Sequence, residues 1–124
     1  MSPARDEPIR VLVVEDDPII ALSLELALQE AGADEVVTAG MAAEALAAIS
    51  QKPPHLLILD LSLVDSDEGF GLAEIALQLF KPPPRIVFST GSPDRIPPHL
   101  ARLGTVFAKP YDPADLARTA LASL

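Results

Sequence analysis

The sequence predicts an α/β protein, a doubly wound sheet of five parallel strands with helices on both faces. Two observations predict it. Short segments rich in Val, Ile, Leu and Phe alternate five times with stretches of helical spacing, the order of a parallel sheet whose strands are joined by helices. The strand segments are continuously apolar rather than alternating, as strands covered on both faces must be. With 124 residues, 49% of them apolar, the chain is one domain able to bury a real core.

Residues 1–8 are polar, contain two prolines and are expected to form a flexible arm, which leaves 9–124 as the domain. The strand segments are "IRVLVV" (9–14), "EVVTA" (35–39), "HLLILD" (55–60), "RIVFST" (85–90) and "TVFAK" (105–109). In 18–31, Ile19, Leu22, Leu26 and Ala27 share an apolar face, and Gly32 supplies the stop. Ala42, Ala45, Leu46 and Ile49 do the same in 42–51, which "KPP" ends. Further helices are predicted over about 70–80 and 113–123, the latter capped by Asp112 with Pro113 in its first turn. The fourth connection holds three prolines, so its helix is short, about 97–103.

Composition excludes several functions. No uncharged apolar run approaches the ~20 residues of a membrane span. The polar N-terminus has no apolar signal core. There is no cysteine, hence no disulfide, thiolate metal site or cysteine nucleophile. The expected location is therefore cytoplasmic. Nine basic against eighteen acidic residues give a net charge of −9, against binding nucleic acid through its phosphates.

Ligands of an open parallel sheet bind beyond the carboxyl ends of its strands, so those ends locate the site. The first strand runs into Glu15, Asp16 and Asp17. The third ends in Asp60, the fourth in Ser89-Thr90-Gly91 and the fifth in Lys109-Pro110. The second ends without charge, which fits an edge strand. An order 2-1-3-4-5, the flavodoxin-like order, makes the four equipped strands neighbours. Three like charges at one spot call for a cation, and hard carboxylate oxygens suit Mg²⁺.

"LVVEDDP", "LLILDLSL", "VFSTG" and "FAKPY", in this order, resemble the receiver domain of bacterial two-component response regulators over about residues 9–123. The resemblance implies a phosphorelay switch, not an enzyme. Asp60 would take a phosphoryl group from a histidine kinase or phosphotransfer protein, and a downstream protein would read the change. It implies metal contacts from Glu15, Asp16, Asp60 and the backbone carbonyl of Ser62, with Mg²⁺ as cofactor. Thr90 matches the family's hydroxyl residue and Lys109 its lysine. Gly91 leaves room for the phosphoryl group and is a possible hinge, and the Lys109–Pro110 peptide is expected to be cis. A carboxylate nucleophile with a cation beside the transferring oxygens is sound phosphoryl chemistry.

Some residues have plainer roles. Asp17 before Pro18 is expected to be the N-cap of the next helix, the acidic "VDSDEG" (64–69) an exposed turn, and His55 and His99 surface residues. Several positions depart from the family pattern. Val64 replaces a common proline, the 64–71 loop is long and acidic, Val106 stands where an aromatic is usual, and prolines fill 93–98. Phe107 is expected on the opposite face of its strand from Val106. "VFSTG" is also similar, in three residues of four, to a receiver subgroup carrying Phe-Ala-Thr-Gly, often single-domain and linked to stress signalling.

Three alternatives stand beside the switch. An aspartyl-phosphate hydrolase would carry D-x-D after its first strand. A flavin carrier would place hydroxyls and glycine where three acids lie. A pseudo-receiver, an interaction module never phosphorylated, usually lacks an acid or the lysine. Starting at Met1 suggests a natural start, and no output domain lies within the sequence. The chain is thus expected to be a single-domain regulator acting through protein contacts or the first part of a longer one.

Overall fold

A computed structural model describes residues 8–61 and 66–124, with 66–69 and Leu100 described by their backbone alone. The elements run β1 (Arg10–Val14), α1 (Pro18–Glu30), β2 (Glu35–Ala39), α2 (Ala42–Gln51), β3 (Leu56–Asp60), α3 (Ser66–Leu79), β4 (Arg85–Thr90), a 3₁₀ turn (Pro93–Arg95), α4 (Pro98–Ala101), β5 (Thr105–Ala108) and α5 (Pro113–Ala122). The strands are all parallel in the order 2-1-3-4-5, as the strand ends implied.

Because successive strand side chains alternate between faces, the sheet carries two cores. Leu12, Val14, Leu57, Leu59, Ile86 and Phe88 form one with Ala45 and Ile49 of α2 and Ala73 and Ala76 of α3. Val11, Val13, Leu56, Ile58 and Val87 form the other with Leu24 and Leu28 of α1 and Leu116, Ala117 and Ala120 of α5. Val106 packs against the first core and Phe107 against the second, as expected of neighbours on a strand.

The helix ends follow their local chemistry. Asp17 caps α1, its Oδ1 accepting from the N–H of Ile19 at 2.9 Å and of Ile20 at 3.3 Å. Asp112 accepts from Ala114 N–H at 2.9 Å and caps α5. Gly32 follows α1 at φ +117°, a conformation that glycine adopts without a Cβ clash.

Four expectations are corrected. Ile19, Leu22 and Leu26 do share a face of α1, but it points outward, with exposures of 76%, 54% and 55%, while Ala21, Leu24 and Leu28 pack inward. Helix α3 begins at Ser66, not near 70, so 66–69 is helical rather than a turn. His55 is not a plain surface residue, because its Nδ1 accepts from Arg10 N–H at 3.0 Å. His99 is exposed. Helix α4 runs only from Pro98 to Ala101, shorter than 97–103, with Pro98 in the first turn where proline is accommodated. The 1–7 part of the arm, Ser62 and Val64 lie outside the described residues.

Candidate functional site

The carboxyl ends of β1, β3 and β5 build one cluster. Register sets it. Val14 pairs with Leu59 and Asp60 with Ser89, so the residues that follow β1 and close β3 lie side by side. Glu15 is held at the end of β1 by its own N–H, which donates to Ala39 C=O at 2.9 Å. Ligand atoms of Glu15, Asp16 and Asp60 all lie within 4.8 Å of one another. Glu15 and Asp60 are buried and Asp16 is exposed. Asp17 turns away and caps α1, as expected.

Lys109, following β5, answers this charge. Its Nζ lies 2.9 Å from Asp60 Oδ1 and 3.7 Å from Glu15 Oε1. The Lys109–Pro110 peptide is cis, as is Lys81–Pro82, the latter without a sequence expectation.

One ammonium does not balance two buried carboxylates. Burial first, then contact with Asp60, raise the Glu15 carboxyl to about 8, against the Asp17 N–H, which donates to Oε2 at 3.1 Å, and the charge of Lys109. Burial outweighs the ion pair, since Lys109 sits closer to Asp60. At neutral pH Glu15 therefore holds a proton against its charged neighbour.

The donor set fits a hard divalent cation. Three carboxylates converge, and the buried Glu15 Oε1 has no hydrogen-bond partner among the described residues. A buried acceptor left this way calls for a ligand.

Thr90 stands apart from this cluster. Its Oγ1 accepts from Ser92 N–H at 3.0 Å, and its side chain faces a separate cavity beside Gly91. Gly91 is exposed, with nothing within 4 Å of where a Cβ would sit.

Two residues belong to the site without a sequence expectation. Ser89, paired in register with Asp60, is buried, and the hydroxyls of Ser89 and Tyr111 are buried without a hydrogen-bond partner among the described residues. Burial, then the charges of Glu15 and Asp60, push the Tyr111 phenol up to about 12. A polar residue inside the apolar run "RIVFST" was the available signal for Ser89. For Tyr111 it was the next position in "FAKPY".

Comparison with known proteins decides the family. The response regulator receiver domain model matches residues 11–120. This chain belongs to the response regulator receiver domain family. The receiver is 29% identical over 116 residues to the phyllosphere-induced regulator PhyR of Methylorubrum extorquens, covering 92% of this chain and 43% of that protein. It spans less than half the length of the curated relatives it matches. Its fold matches a CheY-like receiver domain from Methylobacillus flagellatus with a TM-score of 0.82 at 24% identity, over 94% of this chain and 98% of that one. It also matches the response regulator TrrA of Thermotoga maritima, solved with Mg²⁺ and BeF, with a TM-score of 0.79 at 26% identity over 94% and 99% of the two chains. Receiver domains of two-component systems act as phosphorylation switches. Among the described residues no helix is long and apolar enough to cross a membrane.

Proposed function

We propose that this receiver is a signalling switch in which Asp60 accepts a phosphoryl group from a histidine kinase or phosphotransfer protein. The observation that carries the reading is the buried Asp60 carboxylate, paired with Lys109 at 2.9 Å and grouped with two further acids. In the transfer, an Asp60 oxygen forms the new bond to phosphorus as the bond to the donor's nitrogen breaks, giving an acyl phosphate.

Glu15, Asp16, Asp60 and the Ser62 carbonyl would hold Mg²⁺, which supplies charge neutralisation for an anion approaching an anion. Lys109 would carry positive charge to the transferring oxygens. The Thr90 hydroxyl would donate to one of them, and Gly91 leaves that approach open. The TrrA complex with Mg²⁺ and BeF supports the same use of this fold.

Incubation with acetyl phosphate and Mg²⁺, read by intact mass, tests the proposal. The expected result is one added phosphoryl group, lost in Asp60→Asn. No added mass would favour the pseudo-receiver reading.

A further inference from the structure

Three strand ends and the segment after β5 bring polar groups to one face of the sheet. Val13, Ile58 and Val87 belong to the core covered by α1 and α5, and strand side chains alternate between faces. Glu15, Asp60 and Ser89, each two residues further on, therefore face the same side. Tyr111 packs against that core as well.

Ser89 stands beside the acceptor. It pairs in register with Asp60 on the adjacent strand and is 1% exposed. The Tyr111 hydroxyl is buried too, and it lies within reach of the charges of Glu15 and Asp60, which act on it. Neither hydroxyl has a hydrogen-bond partner among the described residues, nor does Glu15 Oε1.

Tyr111 is held on both sides. Lys109 N–H donates to Thr90 C=O at 2.8 Å, and Asp112 caps α5, its Oδ1 accepting from Ala114 N–H at 2.9 Å. The ring lines an apolar cavity with Ile20, Pro110 and Pro113. A phenylalanine ring would serve there, and alanine would serve at 89, without the desolvation of a buried hydroxyl. The two hydroxyls call for a role beyond packing.

We propose that Ser89 and Tyr111 are positioning residues of the metal centre, the Tyr111 hydroxyl donating a hydrogen bond to Glu15 Oε1 and the Ser89 hydroxyl one to the Asp60 carboxylate. These bonds fix, from the protein side, the oxygens that face the cation. The types match, since an ionised carboxylate only accepts and a hydroxyl can donate. Partners behind a metal's ligands orient them and tighten binding. The inference rests on the proposed function and adds to its acids the pair that holds them.

The test uses the full chain. Mg²⁺ affinity is measured by calorimetry, and metal-free stability by melting in EDTA, for the wild type, Y111F and S89A. Each variant removes one hydroxyl and little else. Each should weaken Mg²⁺ binding about tenfold while melting no lower than the wild type in EDTA. T119V, which removes an exposed hydroxyl on α5, is the control and should match the wild type. The chain has one tyrosine and no tryptophan, so Tyr111 emission reports the ion directly and should change as Mg²⁺ binds the wild type. Y111F and S89A that bind Mg²⁺ as tightly as the wild type overturn the proposal. So does a lower melting temperature in EDTA with affinity unchanged, the mark of a packing role. Uptake of phosphoryl from acetyl phosphate is read in parallel. A wild type that binds Mg²⁺ but takes up no phosphoryl group overturns the proposed function alone, and one that binds no Mg²⁺ overturns both.

Discussion

Lys109 Nζ lies 2.9 Å from Asp60 Oδ1 but 3.7 Å from Glu15 Oε1. This inequality sets the charge state of the site. The closer carboxylate has the ammonium as its partner, while burial keeps the farther one protonated at neutral pH. The buried pair with Lys109 is thus nearly neutral, and a cation bound by Glu15 must displace its proton.

The first prediction concerns pH. The Glu15 carboxyl is raised from its ordinary 4.5 to about 8, so the folded protein binds a proton that the unfolded chain releases. That stabilisation is complete below about pH 4.5 and is lost as pH rises through about 8. Metal-free stability should fall across this window by on the order of a few kcal/mol. Urea midpoints in EDTA at pH 5, 6.5 and 8 measure it. Glu15→Gln should flatten the profile, and an equally steep profile in that variant would contradict the assignment.

Mg²⁺ should act in the opposite direction. Its binding expels the Glu15 proton, so affinity should rise between pH 6 and 8. Near one hundred times its dissociation constant it should add about 3 kcal/mol of stability, reversed by EDTA. Thermal shift against Mg²⁺ concentration at two pH values, with proton release followed by calorimetry, checks both points. Equal affinity at the two pH values would count against it.

The acids at the end of β1 should separate by function. Asp17→Asn should keep most phosphorylation by acetyl phosphate, because Asp17 caps α1. Asp16→Asn should lose it. Initial rates at saturating Mg²⁺ decide, and equal damage from the two substitutions would show that Asp17 also serves the site.

Gly104 offers a stability test far from the chemistry. A Cβ there would lie 2.3 Å from the Ile86 carbonyl oxygen, and backbone cannot yield as a flexible side chain does. Gly104→Ala should cost about 1–3 kcal/mol, read as a lower urea midpoint. An unchanged midpoint would mean that β4 and the turn before β5 can separate freely.

Much of this protein was legible in its sequence because the signals are local. A strand covered on both faces is an unbroken apolar run, and "VLVVEDDP" or "LLILD" states both the strand and the polar group at its end. The uncharged end of β2 fitted an edge strand, the place it has in the order 2-1-3-4-5. Asp17 and Asp112 were readable as caps because each precedes a proline opening a helix.

Other features depend on what lies across from a residue. Helix α1 carries Ile19, Leu22 and Leu26 on one side and Ala21, Leu24 and Leu28 on the other, so its periodicity favours neither face, and packing against the sheet and α5 made the choice. Ser89 and Tyr111 lie 22 positions apart in sequence and joined the site only through strand pairing and the chain's return after β5. The sequence by itself determined which groups stand at the strand ends, since strand and end are written in adjacent residues. Only the tertiary structure decided that Glu15 holds a proton and that Ser89 stands beside Asp60. Burial and the distance between charges belong to the assembled sheet, not to any stretch of chain.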